Sequence, residues 1–214
     1  MYLALDTSGP FCSAAIFKNG QIVAMRSEEL GRGHAERLMP LLEELLSQVQ
    51  VEWNEFKSIL CTTGPGSFTG LRVGLATARG LALALKCPCH GVSVFEAFAY
   101  SHAQPIAVVL DAKRDQLWLQ LFGADAKPAG KPLVISVEDA GGCIPAEYQH
   151  LIGSGAPLVS QNQRQFTILS TAASPPIEAV GYCALSPTFL PKPAKPLYLR
   201  APDAKPQKPR LVRK

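Results

Sequence analysis

The chain has 214 residues, 47% of them apolar and 18% charged, a balance that supports a buried core and excludes wholesale disorder. Six cysteines over this length do not make a disulfide scaffold. The net charge of +4 is uneven: Lys192, Lys195, Arg200, Lys205, Lys208, Arg210, Arg213 and Lys214 face the single acid Asp203 near the C-terminus, so a mildly acidic body carries a basic tail, which suits a phosphate-bearing or acidic partner or a solvated extension.

In chain order, Tyr2 to Thr7 is an apolar strand running into Asp6, Cys12 to Phe17 a second strand, and Gln21 to Ser27 a third, joined to the second across Asn19-Gly20, a type I′ hairpin signal. Leu38, Leu41, Leu42, Leu45, Leu46 and Val49 recur at helical spacing, which predicts an amphipathic helix over about 35–49 with Pro40 distorting its start. Ser58 to Thr63 is a short strand, and Gly64-Pro65-Gly66-Ser67 turns it into a helix over about 68–86. Small residues stack every fourth position on that helix, at Gly66, Gly70, Gly74, Ala78 and Ala82. Helical glycine costs about 1 kcal/mol against alanine, so the stripe predicts a groove into which another backbone packs.

Gly91 to Ser93 is a strand, and Ser93 with Glu96 forms a capping box for a helix over 94–102. Pro105 to Asp111 is another strand ending in aspartate, paired with 115–122 across a hairpin tip at Lys113, Arg114 and Asp115. Periodicity is poor from 123 to 176, a helix is predicted over 176–185, and seven prolines after residue 186 deny regular structure there, with Leu197-Tyr198-Leu199 the one stretch able to dock. The expected organisation is a lobe over 1–100, a smaller one over 101–186, and a Pro/Lys-rich tail over 187–214 partly docked at 197–200. The apolar run Phe68 to Leu85 contains Arg72 and Arg79, too costly at bilayer depth. The opening MYLALDTSG has an early acid and no basic start, against a secretory signal. The expectation is a cytoplasmic protein without membrane contact.

The chemistry-bearing motifs are incomplete. The run Gly64 to Gly74 sits between strand and helix, where backbone amides bind phosphate, but Leu71-Arg72 stands where a P-loop needs Lys-Ser/Thr, and Pro65 lacks an amide donor. His34 has Leu38 at the position where a helical metal pair needs a second histidine. Cys87 and Cys89 have neither zinc nor thioredoxin spacing, and Cys12 and Cys61 read as small buried hydrophobes. Asp6 and Asp111, at equivalent strand ends, with Thr7 and Ser8 beside the first, suit magnesium-water or phosphate ligands equally with turn caps. No catalytic residue and no metal site is assigned. The layout is that of a nucleotide site without the groups to run it.

The segments LALDTS at 3–8, GHAERLMPLLEELL at 33–46, GPGSFTGLRVGLATARGLALAL at 64–85, GVS at 91–93, LDAKRDQLWL at 110–119 and LYLR at 197–200 resemble, in order, the TsaB (YeaZ) family. This is the dimerisation subunit of the bacterial tRNA threonylcarbamoyladenosine system, also called a non-peptidase homologue of the glycoprotease group. The likeness is strong over 1–120 and thin over 123–195. It implies an α/β fold of the actin-like ATPase class (the ASKHA, sugar kinase/Hsp70 superfamily) with a truncated second lobe. It implies a non-catalytic subunit required for threonylcarbamoyl transfer to N6 of adenosine 37 in tRNAs reading ANN codons. That subunit would bind the catalytic relative, which carries the His-x-x-x-His pair that Leu38 interrupts here, and would form homodimers when alone.

A P-loop ATPase subunit is a further implied partner. ATP/ADP and a divalent metal are expected on partner subunits, and no cofactor on this chain. An exposed leucine stripe beside a glycine groove would mark the interface, formed by His34, Leu38, Leu41, Leu42, Leu45, Phe68, Gly70, Arg72, Val73 and Gly74; the same stripes also suit packing inside the lobe. Asp6, Thr7, Ser8 and Asp111 are the candidate nucleotide residues, and the basic tail a candidate tRNA contact. The competing readings are an active phosphotransferase or ATPase built on Asp6 and Asp111, and a metallopeptidase, against which the missing second histidine argues.

Overall fold

A computed structural model describes residues 1–100, 102–159, 165–186 and 189–199. The basic segment 200–214 lies outside the described residues, and with it the tail's tRNA contact and Arg200 of the docking stretch.

The N-terminal half is built on a meander. Strands β1 (Tyr2–Asp6), β2 (Phe11–Lys18) and β3 (Gln21–Glu29) are antiparallel. Asn19 and Gly20 both take positive φ, 52° and 80°, the conformation a type I′ turn demands. Helix α1 (His34–Val49) then crosses to β4 (Ser58–Thr62), which lies parallel to β1. Helix α2 (Phe68–Leu85) leads to β5 (Cys89–Val92), parallel to β4. Ser67 caps α2, its hydroxyl accepting from the Gly70 amide. Ser93 and Glu96 form the expected capping box on α3 (Val94–Ala99).

The second half repeats the plan. Strands β6 (Ile106–Lys113), β7 (Gln116–Phe122) and β8 (Leu133–Ser136) form an antiparallel meander. After the one-turn helix α4 (Ala140–Cys143) come β9 (His150–Ile152), parallel to β6, and β10 (Thr167–Ser170), parallel to β9. The sheet orders are β5-β4-β1-β2-β3 and β10-β9-β6-β7-β8, one arrangement used twice. Among its described residues, the stretch without sequence periodicity, 123–176, thus holds three strands, each too short to display alternation.

Helices α1 and α2 cover one face of the first sheet. Leu38, Leu41, Leu42 and Leu45 are 0–1% exposed there, packed with Leu3, Leu5, Ile16 and Ile59. Helix α5 (Ile177–Leu185) covers the opposite face, with Ile177, Val180 and Cys183 on Ala4, Ala15, Phe17 and Leu60. By sequence α5 falls in the second lobe; by packing it belongs to the first sheet. Helix α3 is shared: Val94, Phe95 and Phe98 pack with Ile106, Val108, Leu110 and Phe122 of the second sheet. The chain ends its described course as a strap. Strand β11 (Lys192–Pro193) adds antiparallel to the edge of β5, Leu197 donates its amide to Thr63 O, and Leu197 and Leu199 rest on the α3 cluster.

Candidate functional site

The strand-end aspartates stand at equivalent points of the two repeats, and their surroundings differ. Asp6 is fully buried. Its Oδ1 accepts from the Ser8 amide (2.9 Å) and the Thr62 hydroxyl (2.6 Å), while Oδ2 is buried without a partner among the described residues. Burial pushes its carboxyl above the usual carboxylate range; hydrogen bonds from Ser8 and Thr62 only partly offset this. Thr7 and Ser8 are 1% and 3% exposed. The Thr7 hydroxyl donates to Gly70 O (2.8 Å), and Ser8 O accepts from the Ser67 amide (2.7 Å).

The every-fourth glycines explain this closure. A Cβ on Gly66 would stand 2.2 Å from Ser8 O, one on Gly70 2.0 Å from Thr7 O, and one on Gly74 2.4 Å from Thr7 Oγ1. The groove predicted from the stripe exists, and its occupant is the chain's own Thr7-Ser8 turn. Asp6 and Thr7 therefore do not fit a magnesium–phosphate group: Asp6 Oδ1 is taken by the Ser8 amide and the Thr62 hydroxyl, Asp6 Oδ2 is sealed from solvent, and the Thr7 hydroxyl is given to Gly70 O. This corrects the nucleotide assignment of Asp6, and with it Gly70 and Gly74 as open interface positions.

Asp111 is half-buried in a cleft of about 470 Å3 between the repeats, with Ser8, Gly66, Ser67, Lys113 and Trp118 in its wall. Its amide donates to Ser154 Oγ (3.1 Å), and its carboxylate accepts from the Lys113 amide (2.7 Å) and from the Lys113 ammonium. Burial pushes this carboxyl up, but the Lys113 contacts outweigh burial and hold it below the usual range. Gly153 and Gly155 press on Val109 to Asp111 as Gly66 presses on Ser8. That second glycine loop is invisible to motif reading, since only its position after β9 gives it meaning.

On the helical face, the leucine stripe is corrected. Leu38, Leu41, Leu42 and Leu45 point into the lobe, because the sheet needs that stripe as its cover. What solvent meets is the complementary face. On α1 it comprises Met39 (36% exposed) with Glu36, Glu43 and Glu44. On α2 it comprises Phe68 (50%), Arg72, Ala76 and Leu83 (81%), with Val73 half-buried. Met39 and Leu83 are apolar residues lying off the buried stripes, and the sequence reading did not single them out. His34 opens α1 after Gly33 (φ 85°), is 8% exposed, and leaves Nε2 without a partner among the described residues. Among the described residues no group of three or more His, Cys, Asp or Glu side chains is placed to hold a metal. Cys12 and Cys61 are buried as expected, and burial pushes the Cys12 thiol up to about 11. Helix α2 is long and apolar enough to cross a membrane by length and composition, yet its apolar face is committed to the first sheet and Arg72 and Arg79 are exposed.

Two repeats of one five-strand order, each a meander with two parallel strands added beside its first, facing each other across a cleft, constitute the actin-like ATPase fold. Residues 25–167 match the family of TsaD, tRNA N6-adenosine threonylcarbamoyltransferase. An uncharacterized protein of Mycobacterium tuberculosis is 31% identical over 206 residues, 95% of this chain and 93% of that one. The tRNA threonylcarbamoyladenosine biosynthesis protein TsaB of Escherichia coli is 31% identical over 128 residues, 58% of this chain and 55% of that one. The match thus spans about half of that TsaB relative's length. The crystal structure of YeaZ from Pseudomonas aeruginosa superposes with a TM-score of 0.78 at 26% identity, covering 92% of this chain and 99% of that one. The chain belongs to the TsaB/YeaZ family.

Proposed function

We propose that this protein is a non-catalytic subunit in the biosynthesis of threonylcarbamoyladenosine. In this reading it supports transfer of the threonylcarbamoyl group to N6 of adenosine 37 in ANN-decoding tRNAs by binding the catalytic actin-like relative. The observation that carries the non-catalytic reading is the close approach of Gly66, Gly70 and Gly74 to the Thr7-Ser8 turn, which buries Asp6 and leaves no room beside it for a phosphate and its cation. The binding surface is the outer face of α1 and α2, where Met39, Val73, Ala76 and Leu83 give apolar contact beside Glu43. The same face pairs two copies when the catalytic relative is absent. The setting is the cytoplasm. A P-loop ATPase subunit joins the assembly, and ATP/ADP and the divalent metal are held by the partners.

The decisive test of the role is nucleoside mass spectrometry on tRNA from cells depleted of the protein. Threonylcarbamoyladenosine should disappear, and its persistence would remove the reading. The surface is tested by Met39→Glu and Leu83→Glu, expected to abolish co-elution with the catalytic relative while far-UV circular dichroism stays unchanged; retained co-elution overturns the assignment. A second reading, nucleotide binding in the cleft, is favoured by the Asp111–Lys113 pair facing Ser67 across it. It predicts ATP binding by the isolated protein that Asp111→Ala removes, whereas the scaffold reading predicts no heat on titration.

A further inference from the structure

Strand β3 is an open edge of the first sheet. It pairs with β2 alone, and the register shift opposite Ile16 and Phe17 leaves Val23 bulged out of the ladder, so the regular edge is 24–29. Among the described residues no further backbone group pairs with it. Successive side chains of a strand point to opposite faces, and the two faces of β3 differ. Ala24 packs under α1, and Arg26 and Glu28 join the ionic network with Arg37 and Glu44. Met25, Ser27 and Glu29 lie on the other face, where Met25 stands opposite Ala15 beneath α5. Helix α5 does not cover this row: Met25 is 52% exposed, and Ser27 and Glu29 are exposed with it.

Beside the row opens a groove of about 360 Å3, walled by Phe11, Met25 and Ser27 of the sheet and by Pro176, Ile177 and Glu178 at the start of α5. Its apolar walls meet two acids, Glu178 in the wall and Glu29 next along the row, and among the described residues neither has a cation partner. An open strand edge next to an apolar groove takes up an extended segment: the edge supplies main-chain hydrogen bonds and the groove receives an alternate side chain. The two acids select a segment whose apolar residues are flanked by cations. The chain contains one. Lys208-Pro209-Arg210-Leu211-Val212-Arg213-Lys214 sets an apolar pair between cations.

We propose that the groove and the open edge of β3 are the docking site of the chain's own residues 210–214, with one residue of the Leu211-Val212 pair in the groove and the flanking cations on Glu29 and Glu178. The described course ends at Leu199, which rests on the cluster of Leu110 and Trp118. Those two residues and Ala173 line the cleft, and Ala172 and Ser174 line the groove, so one loop separates the end of the strap from the site. From Leu199 to Leu211 the sequence allows up to about 40 Å of extended chain. The four strand spacings from β5 to β3 need about 19 Å. A bare edge bearing apolar residues invites pairing with other chains. The chain's own segment covers it at the cost of closing a loop, whereas a separate molecule also loses its freedom of translation and rotation. The site shares no residue with the surface assigned to the catalytic relative, which lies on the outer side of α1 and α2.

The test is hydrogen–deuterium exchange on the full chain, read by mass spectrometry of its fragments. Leu211→Asp/Val212→Asp should speed exchange of the fragment spanning 24–30 by about tenfold and leave the fragment spanning β8, an edge of the other sheet, unchanged. Glu29→Lys/Glu178→Lys should speed the same fragment alike. Adding Arg210→Glu/Arg213→Glu to that chain should restore slow exchange, a rescue that mere destabilisation would not give. Protection in wild type should hold on tenfold dilution. Melting curves and circular dichroism establish that each variant is folded.

Wild-type exchange at 24–30 in either doubly substituted chain overturns the proposal, as does failure of the charge swap to restore protection. Protection that falls on dilution would assign the groove to the segment of another copy, and faster exchange at a different fragment would dock the segment elsewhere; the proposal falls in both cases. Failure of the scaffold reading is seen separately, in the threonylcarbamoyladenosine content of cellular tRNA, which this exchange measurement does not involve.

Discussion

At Gly70 the close approach of two backbones fixes the residue type. A methyl there would stand 2.0 Å from Thr7 O, a rigid neighbour, whereas one on Gly80 of the same helix meets nothing within 4 Å. The two substitutions should therefore differ in sign. Gly70→Ala forces α2 off β1 and should cost about 2–3 kcal/mol, while Gly80→Ala should gain about 0.5–1 kcal/mol from helix propensity and the stiffer unfolded chain. Paired urea melts decide it, and equal effects would mean that the approach is softer than the contacts imply. Asp6 carries a different load. Burial raises its carboxyl above the usual range, so the protonated form favours folding. That contribution is complete below the unfolded value, near 4, and is lost as pH rises through the folded value. Asp6→Asn keeps an acceptor for Thr62 and Ser8 without the charge, so its stability should gain on wild type as pH is raised from the unfolded value upward. Parallel stability–pH curves for the two proteins would remove Asp6 as the source.

Elements are decided by which face the sheet claims. Leu42 is 1% exposed in the cluster beneath α1, so Leu42→Ala should cost about 2–4 kcal/mol, and Leu42→Glu should lose the helical circular dichroism signal, not partner binding alone. A folded Leu42→Glu protein would return that stripe to the surface. The helical period of these leucines was legible in the sequence, as were Asn19-Gly20, the Ser93–Glu96 box and the glycine spacing. Each is a local signal set by backbone geometry. What the residues did not carry was direction: an apolar stripe states that a face is covered, without stating by what, and here the cover is the protein's own sheet. The ionic cluster of Arg37 and Arg26 with Glu28 and Glu44 was illegible for a related reason. It joins β3 to α1, and its members align only once the strand is laid under the helix. In the candidate site, Asp111 in the cleft wall was readable from its strand end, whereas the sealing of Asp6 depends on contacts with Thr62 of β4 and with the glycines of α2, some sixty residues away.

The whole molecule is less divisible than its tandem plan implies. The first repeat's sheet has apolar side chains on both faces, as a sheet buried on both sides must. Helices α1 and α2 come from within that repeat, but the cover of the second face is α5, from the far end of the chain. The fit is close: a Cβ on Gly181 would lie 2.0 Å from Phe17 Cζ, so the helix backbone rests on the aromatic ring. Tyr2 stacks on the other side of that ring's cluster, 4.7 Å from Phe17, and α3 offers Phe95 and Phe98 to the second repeat. A fragment of residues 1–100 would expose Phe17, Leu60 and Val92 on one side and Phe95 and Phe98 on another. Each large side chain uncovered forfeits roughly 1.5–3 kcal/mol, against a total stability of about 5–15 kcal/mol for a domain. The fragment should therefore bind a hydrophobic dye, lack a cooperative thermal transition, and regain one when a peptide of residues 177–186 is fused through a flexible linker. The same fusion carrying Gly181→Leu, which cannot seat on Phe17, should not recover it. A fragment that melts cooperatively without α5 would make the first repeat an independent domain and reduce α5 to a surface addition.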